Sequence, residues 1–286
     1  MIRAFLLALA VLAAASPALA EAPVWVVRDR DSEVVLVGSV HLLPPDLPWK
    51  TAALDAVLAR ADDLWFELHE DSATEAETAR VAQRLGTLAP DQSLFRLLPP
   101  ADAEALLKAA KVHGLDPVAL DRLQPWLAEV AVVVAAFRRA GASATYGVEA
   151  AVQAATPVSV ARRAFETPQE QLSVAAETPL NEQIIALSET LNELEKDPDP
   201  AADLIRAWMA KDLRWIERKT MAPMRKVSPG LYARLVDARN ARWVRTLDAR
   251  LKGSGRTVVV VGVAHLIGRQ GVPTRLRALG YSVSGP

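Results

Sequence analysis

Two of the chain's four histidines close nearly the same phrase. Val34-Val35-Leu36-Val37-Gly38-Ser39-Val40-His41-Leu42 is echoed, close to the other end, by Val258-Val259-Val260-Val261-Gly262-Val263-Ala264-His265-Leu266. Each is an apolar, β-branched run followed by Gly-x-x-His. That pattern predicts two buried strands, each delivering an imidazole to an edge of a sheet. The glycine is expected to let the backbone bend or approach a neighbour. In open α/β sheets ligands bind at the carboxyl edge, and imidazole pairs are common metal ligands. Glu67 ends the next strand-like run, Leu64-Trp65-Phe66-Glu67-Leu68, and reaches the same edge if the two strands are neighbours. Its apolar flanks make an unpartnered carboxylate costly. His41, His265 and Glu67 are therefore the candidate ligands of a divalent ion such as manganese, cobalt or zinc. Glu67 is alternatively a general base.

Other residues carry weaker signals. His69 and Glu70 lie just beyond Glu67, and His113 sits at a helix end where it reads as a cap. Glu149 and Glu166 each follow an apolar segment and read equally well as surface carboxylates. Arg239, Asn240 and Trp243 fall on one helix, with Asn240 and Trp243 on a shared face. An inward Asn needs hydrogen-bond partners, so a polar pocket is expected there, with Asn240 or Arg239 steadying a developing oxyanion. The sequence contains no Gly-x-Ser-x-Gly elbow, P-loop, dinucleotide fingerprint or His-Glu-x-x-His motif. With no cysteine, thiolate metal sites, iron–sulfur clusters and cysteine nucleophiles are excluded.

The elements that must position these groups follow from the patterning. Val24–Val27 and Glu33–Val40 flank a polar turn and predict a hairpin. Prolines 44, 45 and 48 force an extended loop after His41, and Thr51 caps a helix running to about Asp62. With the strand ending at Glu67 this makes the strand–helix–strand unit of a parallel sheet. From about 71 to 252 the periodicity is helical, with one further strand expected within Pro157–Phe165. The clearest helices are Ala101–Lys111 and Pro125–Arg139, and Thr167–Leu194, Ala201–Lys219 and Ser228–Leu251 follow. The fold expected is α/β: a mixed, largely parallel sheet built from both chain ends, with a large helical insertion.

Met1-Ile2-Arg3, the apolar run Ala4–Ala15 and Ser16-Pro17-Ala18-Leu19-Ala20 have the form of a cleaved secretory signal over residues 1–20. The mature chain then runs from Glu21 to Pro286 and is expected in the periplasm, with no membrane span after cleavage. The formal net charge of −1, with bases scattered among acids, argues against a nucleic-acid partner. Oligomeric state is not encoded in any pattern found.

Several segments together resemble the TraB/GumN family, which includes the Tiki proteases. Leu36–Pro44 and Ala61–Glu67 are similar to its opening, and Phe165-Glu166-Thr167-Pro168-Gln169-Glu170-Gln171 to its central segment. Arg239–Trp243, Gly262–Gly268 and Leu279-Gly280-Tyr281 are similar to its close. One departure is Gly147-Val148-Glu149, where the family pattern has Asp in the last place. The resemblance implies that the two Gly-x-x-His motifs and Glu67 are the active-site residues of a divalent-metal-dependent hydrolase acting on peptides or proteins. Two rival expectations remain: a non-catalytic protein holding a metal, haem or small ligand at the same edge, and an envelope accessory factor.

Overall fold

In a computed structural model of the protein, residues 21–197 and 199–286 are described; the expected signal over residues 1–20 lies outside them. Six strands form one mixed sheet: β1 (Val24–Arg28), β2 (Ser32–Ser39), β3 (Asp63–Phe66), β4 (Ala161–Ala164), β5 (Gly255–Gly262) and β6 (Ser282–Ser284). Their order across the sheet is β4-β3-β5-β2-β1-β6. The four strands β4, β3, β5 and β2 run parallel, and β1 is antiparallel to both β2 and β6.

The apolar runs explain this order. Five successive residues of β5, Thr257–Val261, and six of β2, Val34–Ser39, are buried, as strands covered on both faces must be. β4, with two exposed residues in four, takes one edge of the sheet. β2 and β3 are not neighbours, because β5 lies between them. The functional consequence survives for a geometric reason. Ser39 pairs with Gly262, and Phe66 with Val260, so the parallel strands finish at one edge and Glu67 emerges at the level of the β5 terminus.

Thr51 caps the helix Ala52–Leu58 by accepting from the Leu54 N–H. β4 splits the helical middle of the chain, so the insertion contributes a strand to the sheet. The stretch expected as one helix over 167–194 is two, Pro168–Ala176 and Leu180–Lys196, broken at Pro179, as a proline there dictates. Besides the core around the sheet, a second apolar cluster lies within the insertion, including Leu94, Leu106, Val132 and Leu187. Ahead of Arg239–Leu251 the helix passes through wide π-type turns at Ala233–Ala238; such turns are frequent near functional sites. No helix among the described residues is long and apolar enough to cross a membrane.

Candidate active site at the sheet edge

One point in space brings together the three residues singled out by the sequence. A Cβ built on Gly262 would sit 3.4 Å from Glu67 Oε1, 3.7 Å from His41 Nε2 and 3.8 Å from His265 Cδ2. Gly262 has φ −48° and ψ 131°, which any residue adopts. This glycine is thus not required for backbone freedom; it leaves room among three functional side chains. Gly38, in the equivalent place, does the job expected of it, since a Cβ there would press to 3.1 Å from Val263 Cγ2.

His41 lies just past β2, and its side chain is 58% exposed. Its Nδ1 pairs with Glu149 Oε1 at 2.8 Å. Glu149 stands in the first turn of the helix Val148–Ala155. That helix reaches His41 because residue 147 is glycine: any Cβ there would collide with the His41 carbonyl oxygen. The charge of Glu149 pushes the His41 imidazole above its ordinary value. Burial works to raise Glu149, but His41 outweighs it and the carboxyl is held low. Gly147-Val148-Glu149 thus orients His41. Its sequence signal was only a carboxylate after an apolar segment, too weak to select it.

His265 is the opposite case. A short 3₁₀ turn, Val263–His265, carries it beneath the helix Arg239–Leu251, leaving it 6% exposed. Asn240, fully buried, donates its amide to the carbonyl oxygens of His265 and Gln270, which leaves Oδ1 facing His265 Nδ1 at 2.7 Å. The amide hydrogens are both used, so Nδ1–H is the donor to Oδ1 and Nε2 keeps its lone pair. Burial, and then the neighbouring Arg239, push this imidazole down to about 3.

The cluster between the strands has an electrostatic origin. Backbone N–H groups of Phe165 and Glu166 continue the β4–β3 ladder onto Phe66 and Glu67, which sets two carboxylates side by side. Arg239, 3% exposed, answers both. Its Nε bonds Glu166, one terminal nitrogen contacts Glu67 at 2.6 Å and Glu166 at 2.8 Å, and the other contacts the Leu235 carbonyl and His265 Nε2 at 3.2 Å. The guanidinium also lies over the Trp243 ring, 4.8 Å from its centroid. Glu67 Oε1 accepts from Gly262 N–H, and Oε2 from Arg239 and Gln171. Burial alone would raise the Glu67 carboxyl; Arg239 overcomes it and holds it near 2.

Two expected roles change. Four of the five N–H groups of Arg239 hydrogen-bond within the protein, the nitrogen that bonds Glu67 also lies 2.8 Å from Glu166, and both amide hydrogens of Asn240 have partners. Asn240 has no donor left for an oxyanion, and Arg239 is buried and turned towards two carboxylates, so both act as supports. The three-donor metal set does not fit an ion as these side chains stand. Arg239 bridges Glu67 and His265, and placing a dication against a buried guanidinium is repulsive. Among the described residues no cluster of three or more metal-binding side chains is close enough to hold an ion.

Of the weaker candidates, Glu70 joins this neighbourhood: burial, then the charge of Glu149, raise its carboxyl to about 7. Glu166 anchors the arginine. His113 does not cap its helix; Gly114, in the left-handed conformation at φ 71°, does so, and His113 Nδ1 is buried without a partner. His69 is exposed.

The model of the TraB/PrgY/gumN family matches residues 23–285. No curated protein and no solved structure matches the chain. The match spans nearly every described residue, and the chain belongs to that family.

Proposed function

We propose that this TraB/PrgY/gumN family member is a hydrolase of amide or ester bonds, with the scissile carbonyl seated over Gly262. The observation that carries the reading is the convergence of His41 Nε2 and Glu67 Oε1 on the space that a Gly262 side chain would fill. Exposed, and favoured in its protonated form by Glu149, His41 is the general acid that donates to the leaving group. Glu67 has accepted three of about four possible hydrogen bonds, and the remaining lone pair on Oε1 orients the attacking water. Glu70, exposed but close enough to Glu149, His41 and Glu67 to feel their charges, has its carboxyl raised to about 7 and is assigned the proton of that water. Asn240 and Arg239 keep His265 neutral and Glu67 in place. A peptide or protein substrate rests on the resemblance to the Tiki proteases. A periplasmic location rests on the signal-like residues 1–20.

A second reading has its own observation. An imidazole that gives its Nδ1 to a carboxylate and leaves Nε2 free is the arrangement used by metal-bound histidines, so His41 and Glu67 could share a divalent ion without His265. Turnover of fluorogenic peptide and ester libraries, with chelator or with added Mn²⁺, Co²⁺ or Zn²⁺, separates the two. Chelator-resistant turnover that disappears in His41→Ala supports the first reading, and strictly ion-dependent turnover supports the second. Absence of turnover under every condition contradicts both.

A further inference from the structure

Arg239 is the most heavily committed side chain at the sheet edge. Its two neighbours, Glu67 and Glu166, are placed side by side by the β3–β4 ladder and face a neutral His265 across it. A pair of carboxylates with an imidazole lone pair is also what a divalent ion seeks. Here the two charges are answered by one planar cation whose fork matches two carboxylates and whose face is stacked on Trp243. Arg242, at 2.9 Å from Glu166, adds a second positive charge from the outer side.

We infer that Arg239 is the resident cation of this site, occupying the electrostatic place of a metal between Glu67, Glu166 and His265 and excluding an ion from those three groups. The inference goes beyond the hydrolase reading and does not need turnover to be tested. Trp243, stacked on Phe165 at 5.1 Å and tilted by 46° against His265 at 4.5 Å, holds an aromatic face against the Arg239 guanidinium, a contact that suits a planar cation. An ion would demand a tetrahedral or octahedral shell instead.

The test uses Arg239→Ala and Arg239→Lys in the full mature chain. Truncation to alanine leaves Glu67 without a cationic partner and Glu166 with Arg242 alone, and the melting temperature should fall by roughly 10 °C. Millimolar guanidinium chloride should restore most of that loss, whereas urea, its neutral isostere, should not. Arg239→Lys, which keeps the charge and serves if the alanine variant does not fold, should melt between the wild type and alanine and gain from neither additive. Calorimetric titration with Mn²⁺ and Zn²⁺ gives the second readout. The wild type should bind no ion that depends on His265, and Arg239→Ala should gain one that is lost again on adding His265→Ala. A wild-type ion abolished by His265→Ala would overturn the inference. So would stabilisation of Arg239→Ala by urea equal to that by guanidinium.

Discussion

The two Gly-x-x-His phrases are spelled almost alike and hold their histidines in opposite states. After β2 the chain leaves the sheet into a proline loop, so His41 stays half in water with a carboxylate on Nδ1. After β5 it turns under a helix, so His265 is enclosed with an amide on Nδ1 and a guanidinium at Nε2. The partner on Nδ1 decides the charge: a carboxylate favours imidazolium, and a neutral amide in a buried setting beside a cation favours imidazole. The glycines differ in the same way. Gly38 permits close packing against Val263, while Gly262 keeps a space open. A repeated phrase thus supplies one charged and one neutral group to a single site, an asymmetry that acid–base chemistry needs.

The comparison can be broken at each of its members. His41→Ala removes the exposed acid and should lower kcat/KM on the order of 10³-fold with little change in melting temperature, checked by steady-state kinetics and calorimetry. Gly262→Ala meets only ordinary contacts and allowed backbone angles, so it should fold as the wild type does. The methyl group occupies the proposed place of the substrate carbonyl, so turnover should fall about 10²-fold. The same methyl at Gly38 should instead cost stability, since it crowds Val263.

The pH profile sharpens the contrast further. In the wild type, kcat/KM should rise as Glu70 ionises near pH 7 and fall again where His41 loses its proton, above the ordinary value of 6.5. Glu70→Gln should abolish the acidic limb and cost roughly 10²-fold in rate. The smallest effect is expected from Glu149→Gln. Without the carboxylate, His41 gives up its proton at lower pH, so the basic limb should move down towards 6.5, with about a tenfold loss at neutral pH.

Much of this site is written in local pattern. Valine runs followed by Gly-x-x-His specify buried strands that end at one edge, and the apolar flanks of Glu67 mark a carboxylate that must find partners. The threonine at 51 marks a helix start by its own chemistry, whereas the helical periodicity across 167–194 hides the break at Pro179. What pattern does not carry is proximity. Nothing in Leu64–Leu68 says that β5 inserts beside it, because either order of strands buries the same residues. Nor does Arg239 announce that a ladder between β3 and β4 will place Glu67 and Glu166 together and commit its guanidinium to both. Glu149 is legible only once Gly147 is seen against the His41 carbonyl oxygen. Pattern gave the residues of the site, and long-range packing gave their roles.

The opposite charge of the two histidines is the central claim, and it is open to direct measurement. Nitrogen-15 NMR of histidine-labelled protein follows the four imidazoles across pH, with His41→Ala and His265→Ala assigning two of them. His41 should remain imidazolium well above pH 6.5, while His265 remains neutral down to about pH 3, protonated on Nδ1 only. If both titrate together near 6.5, or His265 is the one that holds its proton, the account is contradicted.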